Sequence, residues 1–254
     1  MIHNYPILEF DPTQEAIIEP APYPNAPDLP EHAVACFFHE VLDELLQSGQ
    51  LRIVHHLSSG MGRHPVYEMM VDDKPIAVFH PGIGAPLAAA FLEEMIAHGC
   101  RKFIACGGCG VLDKNIECGN LVVVNSAVRD EGTSYHYLPP GREVTPSISA
   151  TESLKSTLDS LNLPYILAKT WTTDAFYRET KKRILQRASE GCKTVEMEAA
   201  AFFAVAQFRN VELGQLLYGG DDVSGEVWDS RSWRRDISHR QKVFLLAAQA
   251  CANL

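Results

Sequence analysis

The stretch Thr194–Ala206, TVEMEAAAFFAVA, places two glutamates directly before a long apolar run. After Glu198 no polar side chain occurs until Gln207. A helix that is apolar on all sides belongs in a protein interior, where an isolated carboxylate is costly. If a strand ends at Glu196 and a helix opens at Glu198, both carboxylates lie on one side of the chain, where they can share a partner.

Short apolar runs alternate with helical patterns on both sides of this stretch, which is typical of one α/β domain with a mixed, largely central sheet. Strands are predicted at Leu51–Leu57, Pro75–His80, Lys102–Cys106, Leu121–Asn125, Tyr165–Ala168 and Gly214–Tyr218. Helices are predicted at Pro30–Ser48, Leu87–His98, Ser153–Leu161, Thr180–Glu190, Glu198–Phe208 and Ser238–Ala252.

The first thirty residues differ in composition from the rest of the chain. They hold seven of the 15 prolines, which predicts an extended, turn-rich segment over residues 1–30. We expect this segment to be part of a single domain whose regular elements lie in residues 31–254. Neither a repeat nor a linker divides that range.

Composition excludes several classes of function. The net charge of -10 argues against general nucleic-acid binding. The sequence has no run of membrane-spanning length and no signal-peptide pattern at its start, and its seven cysteines are scattered through apparent core segments. We therefore expect a reduced, cytoplasmic protein that does not enter a membrane. Cys106 and Cys109 lack a second ligand pair, so we predict no metal site.

Glycine-rich turns follow two predicted strands, in HPGIGAP (residues 80–86) and CGGCGVL (residues 106–112). Ligands of open α/β sheets lie at the carboxyl ends of strands, where glycine lets the backbone come close. Each turn could equally be a tight connection and nothing more. Neither matches G-x-G-x-x-G or a P-loop, so no nucleotide cofactor is predicted.

Six motifs together resemble the nucleoside phosphorylase/uridine phosphorylase superfamily, which includes purine nucleosidases. In chain order they are PGIGAP, FIACGGCGVL, AVRDEGTSYHY, TTDAFY, VEMEAAAFFAVA and GGDDV, and the likeness extends from Ile76 to Val223. The resemblance implies that residues 31–254 form a three-layer α/β/α sandwich around a mixed, partly barrel-like sheet. It also implies a small-molecule nucleoside as ligand and assembly into a homo-oligomer, a dimer or a hexamer.

The same resemblance assigns Glu196, Met197 and Glu198 to the ribose. A carboxylate can accept hydrogen bonds from two adjacent hydroxyl groups, and the amino terminus of a helix helps to keep it ionised. In the family the methionine packs on the sugar. The alternative interpretation is a helix cap that makes a salt bridge.

Further positions match the base and acceptor ends of the family's site. Phe176 matches the aromatic residue that stacks on the base, although core packing would explain a phenylalanine there as well. Ile83, with Gly84 beside it, matches the loop near the sugar and the acceptor. Gly107 and Gly108 belong to the central motif, where we expect substrate to approach the backbone.

Asp222 aligns with the aspartate that purine-cleaving members use to protonate N7 of the leaving base. Asp221 is the second candidate, and both could be capping residues of a loop. Uridine-specific relatives carry a glutamine and an arginine shortly after the stacking phenylalanine. Thr180 and Lys182 stand near those positions, so a purine nucleoside is favoured over uridine.

The phosphate-binding positions depart from the family pattern. Phosphorylases hold phosphate with arginines, whose planar fork matches the oxyanion. Ala105 and Gly108 stand where the central motif has arginine and a hydroxyl residue, and Gln14 stands where the early loop has arginine. Arg63 lies close to the position from which a neighbouring subunit supplies an arginine. We therefore expect inorganic phosphate as a possible co-substrate at an atypical site.

Three functions remain open on this basis. The family-typical reaction cleaves a ribonucleoside with phosphate as acceptor. The alternative is a nucleosidase in which a carboxylate activates water; counting from the early loop gives Glu15, which could also be a solvated surface residue. A nucleoside-binding protein without catalysis is the third possibility. The segment 224–236 is either a lid, with Trp228 and Arg231 or Arg234 facing substrate, or a surface loop.

Overall fold

The computed structural model describes residues 3–20, 28–233 and 237–254. The strands are β1 (His32–Cys36), β2 (Arg52–Ser59), β3 (Gly62–Val71), β4 (Lys74–Phe79), β5 (Lys102–Val111), β6 (Leu121–Asp130), β7 (Glu143–Val144), β8 (Tyr165–Thr173), β9 (Cys192–Glu196) and β10 (Glu212–Asp222). The helices are α1 (His39–Gln47), α2 (Ala85–Ala97), α3 (Ile148–Ser160), α4 (Lys181–Ser189), α5 (Ala199–Arg209) and α6 (Ile237–Ala252). Among these described residues, no helix is both long and apolar enough to cross a bilayer.

Five strands close into a ring in the order β5, β9, β8, β6 and β10, with β10 pairing back to β5. The ring mixes parallel pairs, such as β5–β10 and β8–β9, with antiparallel pairs, such as β5–β9. Strands β1, β4, β3 and β2 continue the sheet outward from β5. This mixed, partly closed sheet confirms the barrel-like architecture that the sequence predicts.

Helices cover both faces of the sheet. One core joins α2 and α5 to the sheet through residues such as Phe91 and Phe202, and the other joins α1, α3 and α6 through residues such as Leu42 and Phe244. Residues Ala199–Ala206 of α5 are all buried, because this helix is enclosed between the sheet and α2. The three-layer α/β/α arrangement is therefore confirmed.

The structure corrects the helix predicted over Pro30–Ser48. Its first half is β1, which lies between β4 and β5 in parallel register and is buried from Ala33 to Cys36. The remainder is α1. A short, fully buried strand is apolar on both faces, so its sequence does not show the alternation that distinguishes a strand from a helix.

The strands β5 and β3 also differ from the prediction. CGGCGVL is not a turn, because β5 continues through its glycines to Val111. Side chains from elsewhere occupy the space that a Cβ would need there: Phe37 lies against Gly107 and Trp233 against Gly108. The prediction also missed β3, which forms a hairpin with β2 and pairs with β4.

Candidate active site

The junction between β9 and α5 brings both glutamates into the interior. Glu196 ends β9 and is 7% exposed, and Glu198 is the residue before α5 and is 6% exposed. Glu196 accepts hydrogen bonds from three donors: the Thr172 hydroxyl (2.6 Å) at Oε1, and the backbone N–H groups of Glu198 (2.7 Å) and Ala199 (2.6 Å) at Oε2. Glu196 thus satisfies the first orphan donors of α5 and ties the helix to β8.

Glu198 reaches a different partner, the loop that follows β4. Its Oε1 accepts a hydrogen bond from the Gly84 N–H at 2.6 Å. Burial raises the pKa of Glu198, and the neighbouring charge of Glu196 raises it further. Burial also raises the pKa of Glu196, but its three hydrogen-bond donors oppose that effect. Glu198 is therefore the member of the pair that binds a proton more readily.

The loop between β4 and α2 carries Ile83 and Gly84 to the same place. Gly84 precedes α2 with φ 89°, a conformation that favours glycine, and this geometry turns its N–H toward Glu198. Ile83 is 62% exposed although it is apolar. Met197, the residue before Glu198, is half-buried. The hydrogen bond between Glu198 and Gly84 thus joins two segments that each carry an apolar side chain with exposed surface.

His80 is the first residue of this loop and is held in place by contacts with its neighbours. Its Nδ1 accepts a hydrogen bond from the Gly82 N–H at 3.0 Å, and its ring meets those of Phe37 (6.1 Å between centroids) and His39 (6.2 Å) nearly at right angles. Burial lowers the pKa of His80 to about 4, and the field of His39 contributes. His80 is therefore neutral at physiological pH and links the β1–α1 loop to the β4–α2 loop.

Phe176 begins a short 3-10 turn, Phe176–Arg178, that follows β8. Its side chain is 50% exposed and lies against the ring of Tyr177 at 4.1 Å. It is not a core residue, so the packing alternative for this phenylalanine does not apply. An exposed aromatic face beside the ends of β8 and β9 is suited to stacking on a planar ligand.

Asp221 and Asp222 end β10 and have separate partners. Trp228 Nε1 donates to Asp221 Oδ2 at 2.6 Å. Asp222 Oδ2 accepts from Arg231 Nη2 at 2.6 Å, and its Oδ1 accepts from the Ser224 N–H at 2.7 Å. Both aspartates thus receive hydrogen bonds from residues 223–233, here called the strap.

The strap folds back on the sheet. Asp229 and Asp222 exchange two backbone hydrogen bonds, of 2.8 and 3.0 Å. Arg231 and Ser232 both have positive φ, 45° and 49°, which for residues other than glycine costs of order 1–3 kcal/mol each. This turn directs the Arg231 guanidinium to Asp222 and to the Ile116 carbonyl. The strap is therefore anchored to the sheet through Arg231, and Arg234 lies outside the described residues.

At the family's phosphate-binding positions, this chain has small buried residues covered by rings. Ala105 is fully buried in β5. A Cβ at Gly107 would lie 3.0 Å from the Phe37 ring, and one at Gly108 would lie 2.4 Å from the Trp233 ring. Gly107, which is buried, and Gly108, which is half-buried, therefore lie inside a strand, each with an aromatic side chain where its own side chain would be.

The structure places the remaining predicted residues apart from the junction. Arg63 is the second residue of β3, next to the β2–β3 turn, and its side chain is exposed. Glu15 is exposed in the irregular stretch before β1. That stretch touches the domain at its two ends, where Ile7 lies near Gly132 and Glu19 pairs with Arg209 at 3.6 Å. Glu15 itself is not brought to Glu198 by any of these contacts.

A separate groove lies away from this junction. It has a volume of about 780 Å³, separates α3 from α6 on the face of the sheet opposite α5, and has chiefly apolar walls that include Leu161, Leu163 and Leu246. Within the described ranges, no group of three or more His, Cys, Asp or Glu side chains is arranged to hold a metal ion. The ionisable groups that converge are those at the strand ends.

Sequence reasoning missed three members of this site. Thr172 orients Glu196, Trp233 covers Gly108, and Glu179 is a partly buried carboxyl group that follows the Phe176 turn. Thr172 lies in the motif TTDAFY, so its polarity beside a buried strand was a usable signal. Glu179 and Trp233 depend on contacts between distant segments, for which the sequence carries no local pattern.

Comparison with known proteins accounts for these features together. A family model described as the phosphorylase superfamily matches residues 31–250. Guanosine phosphorylase of Halorubrum lacusprofundi is 30% identical over 145 residues, which are 57% of this chain and 60% of that protein. Uridine phosphorylase of Treponema pallidum is 30% identical over 156 residues, with the same two coverages of 57% and 60%. The matched region thus spans 60% of the length of either relative.

Solved structures agree on the fold. Purine nucleoside phosphorylase from Toxoplasma gondii superposes with a TM-score of 0.74 at 20% identity, over 89% of this chain and 92% of that one. AMP nucleosidase from Bacteroides thetaiotaomicron superposes with a TM-score of 0.71 at 20% identity, over 89% of each chain. Because the family model covers most of the sequence and the fold agrees with it, the chain belongs to the phosphorylase superfamily.

Proposed function

We propose that this protein cleaves the N-glycosidic bond of a ribonucleoside, releasing the free base and a ribosyl product. The observation that carries the proposal is the buried Glu198 carboxyl group, hydrogen-bonded to the Gly84 N–H, with the half-buried Met197 and the exposed Ile83 as the chain neighbours of these two residues. A buried carboxyl group is costly unless a ligand or a partner compensates it. The two adjacent hydroxyl groups of ribose are such a ligand.

The remaining parts of the site suit the same reaction. Cleavage of the bond between C1′ and the base nitrogen develops positive charge on the ribosyl ring, and carboxylates nearby stabilise that charge. Glu196 is held by its three hydrogen bonds and supports the junction, while Glu198 accepts from the sugar. In this proposal the exposed Phe176 stacks on the base, and an aspartate at the end of β10 acts on it.

A purine is the favoured base. The support is the absence of a glutamine and an arginine at Thr180 and Lys182, where uridine-specific relatives have their uracil-binding pair. The comparisons do not choose between bases, because the relatives include both a guanosine phosphorylase and uridine phosphorylases.

Phosphate is the acceptor that membership of the family favours, and water is the second candidate. Three positions favour water: Ala105 is buried, and Phe37 and Trp233 cover the glycines of β5. The compensating arginine for a phosphate site would be Arg63 of a second copy. For hydrolysis, Glu15 is the sequence-based candidate for activating water, and the segment around it would have to move toward Glu198.

The test is to incubate the purified protein with a panel of purine and pyrimidine nucleosides, with and without phosphate, and to measure free base by chromatography. We expect release of a purine base. Release only with phosphate, together with ribose 1-phosphate, identifies a phosphorylase; release without phosphate that Glu15→Gln abolishes identifies a nucleosidase. Binding of a nucleoside without release under either condition would leave the non-catalytic alternative and refute the proposal.

A further inference from the structure

The segment before β1 presents two adjacent isoleucines to solvent. Ile17 is fully exposed and Ile18 is 87% exposed. They form a bend that is closed by a hydrogen bond from the Ala16 N–H to the Glu19 carboxylate. Single exposed apolar side chains are common on protein surfaces, but two on one bend form a projecting apolar tip, which favours contact with another surface. Residues 15–19 are here called the arm tip.

The arm tip is attached to the layer that contains α2 and α5. Glu19 pairs at 3.6 Å with Arg209, the last residue of α5, and Arg209 also bonds to Glu93 of α2 at 2.7 Å. At the other end of the segment, the Ile7 side chain lies 3.4 Å from the position that a Cβ on Gly132 would occupy, next to a turn that contacts α2 and α5. These two attachments leave the isoleucines between them uncovered.

The groove between α3 and α6, here called the α3–α6 groove, offers a complementary surface. Its walls are chiefly apolar, and two of its leucines have exposed side chains, Leu161 (53%) and Leu245 (42%). Lys242 also lines the groove and is exposed, and within the described part of the chain it makes no hydrogen bond or ion pair. Asp72 lines the groove as well, but its carboxylate accepts from Gln249 Nε2 at 2.6 Å. The groove thus combines apolar walls with one unpaired positive charge.

We propose that the arm tip of one copy of this chain docks in the α3–α6 groove of a second copy. Ile17 and Ile18 then pack against the apolar walls, and the Glu15 carboxylate pairs with the Lys242 ammonium group. Glu15 is available for this contact, because it has no hydrogen bond or ion pair to any other residue that the structure describes. An apolar pair with a free acid on one surface therefore matches an apolar groove with a free base on the other.

A second copy is the occupant that the geometry favours over the chain's own arm. The arm tip is held on the α2–α5 layer by Arg209, whereas the groove lies on the opposite face of the sheet. The same copy cannot present both surfaces to one neighbour, so the contact is head-to-tail. Such a contact closes only as a ring of three or more copies, or else it continues as a filament.

This geometry has two consequences for the assembly and the site. Of the dimer and the hexamer that the sequence leads us to expect, only the hexamer can contain such a ring. An arm tip held in a neighbour's groove also keeps Glu15 away from Glu198 of its own chain, which disfavours Glu15 as the residue that activates water.

Light scattering over a range of protein concentrations tests the contact through variants. We expect a hexamer for the wild-type protein, and Ile17→Ser/Ile18→Ser should raise the dissociation constant by about 10²-fold or more, because two apolar contacts are lost. Ile148→Ser is the matched control: it removes an isoleucine that is 82% exposed at the start of α3, outside the groove, and should leave the assembly unchanged.

The charge pair is tested by exchange. Glu15→Lys and Lys242→Glu should each raise the dissociation constant by about two- to fivefold, as expected for an exposed ion pair. The two substitutions combined in one chain should restore the wild-type value, because the pair is then reversed. Failure of the combination to restore it would refute the pairing of these two residues.

Cross-linking shows which copy supplies the arm. One copy carries Ile18→Cys and a second, differently tagged copy carries Leu161→Cys, with Cys118→Ser in both because that thiol is exposed. Oxidation of the mixture should link the two kinds of copy to each other. With Ile148→Cys in place of Leu161→Cys, no link should form.

Several results would overturn the proposal. They are a wild-type protein that is a monomer or a simple dimer at every concentration, an assembly that survives Ile17→Ser/Ile18→Ser, and the absence of a link between unlike copies. A link that forms only within a single chain carrying both cysteines would place the arm tip in its own groove and would also refute the proposal. None of these measurements depends on whether the protein cleaves a nucleoside.

Discussion

At the residue scale, Glu198 and Glu196 belong to one motif but differ in what they bind. Glu198→Gln retains an oxygen for the Gly84 N–H and loses the second carboxyl oxygen that would accept from ribose hydroxyls. A buried donor left without its partner costs about 1–3 kcal/mol, so we expect kcat/KM to fall by roughly 5- to 100-fold. The measurement is steady-state cleavage of the preferred nucleoside.

A substrate that lacks the sugar hydroxyls isolates this effect. With a 2′,3′-dideoxynucleoside, the variant and the wild-type protein should differ by less than about threefold, because the interaction is absent from both. Equal losses with both substrates would mean that Glu198 acts through the fold. Glu196→Gln provides the structural contrast, because one amide oxygen cannot accept from Thr172, Glu198 and Ala199 together.

His80 gives the structure a pH dependence that can be measured directly. Its pKa is about 4 in the folded protein and about 6.5 in an unfolded chain, so the unfolded state binds the proton first as pH falls. The contribution of neutral His80 to the free energy of unfolding is therefore fully present above pH 6.5 and is lost between about pH 6.5 and 4. The upper limit of this contribution is about 3 kcal/mol.

Denaturant unfolding of the wild-type protein and His80→Gln at pH 7.5, 5.5 and 4.5 measures this effect. Carboxyl groups titrate in both proteins, so the informative quantity is the difference in free energy of unfolding between them. We expect that difference to shrink as pH falls. A difference that stays constant with pH would show that His80 does not titrate between its folded and unfolded values.

At the scale of elements, the close approach of β5 to the strap can be tested at Gly108. A methyl group there would lie 2.4 Å from the Trp233 ring, and overpacking of this kind costs about 1–3 kcal/mol. Gly108→Ala should therefore destabilise the protein and displace the strap, detected by unfolding and by limited proteolysis within residues 223–233. Adding Trp233→Ala should restore protease resistance only if the methyl group and the ring compete for one space.

Gly60→Ala is the matched control, since nothing lies within 4 Å of a Cβ there and its φ is not positive. It should leave both stability and cleavage unchanged. Destabilisation of Gly108→Ala without any change in proteolysis of the strap would contradict the proposed contact. Such a result would place the strain within β5 itself.

The elements with strong periodicity were predictable, and those set by long-range pairing were not. The β9–α5 junction followed from TVEMEAAA, because a strand end and an apolar helix each have a local signature. β1 was mistaken for helix, since a strand buried on both faces shows no alternation. The glycines of β5 were mistaken for a turn, because their function is to admit the rings of Phe37 and Trp233 from distant segments.

The same distinction applies to the site. Glu198, Gly84, Ile83 and Phe176 come from motifs, and the structure gathers the first three at one junction. The different hydrogen-bond partners of the two aspartates were not predictable, because they depend on the register shift near the end of β10 and on the fold of the strap. The strap supplies Trp228 to Asp221 and Arg231 to Asp222, and no local sequence pattern indicates this pairing.

At the scale of the whole molecule, the choice between phosphate and water as acceptor is linked to oligomerisation through Arg63. Arg63 is exposed at the β2–β3 hairpin, and its side chain is not part of the Glu198 junction of the same chain. We expect the protein to form a dimer or a hexamer in which the Arg63 guanidinium of one copy serves the acceptor site of another. Light scattering measures the assembly.

Kinetics with varied phosphate then distinguish the two acceptors. If phosphate is used, Arg63→Ala should raise the KM for phosphate by about 10- to 100-fold, because a charge-assisted contact is lost. The thermal unfolding temperature should stay unchanged, because the Arg63 side chain is exposed. Arg52→Ala removes another exposed arginine of the same hairpin, one that pairs with Glu68, and should have little effect. A monomer whose cleavage rate is independent of phosphate and of Arg63 would assign the acceptor end to water within one chain.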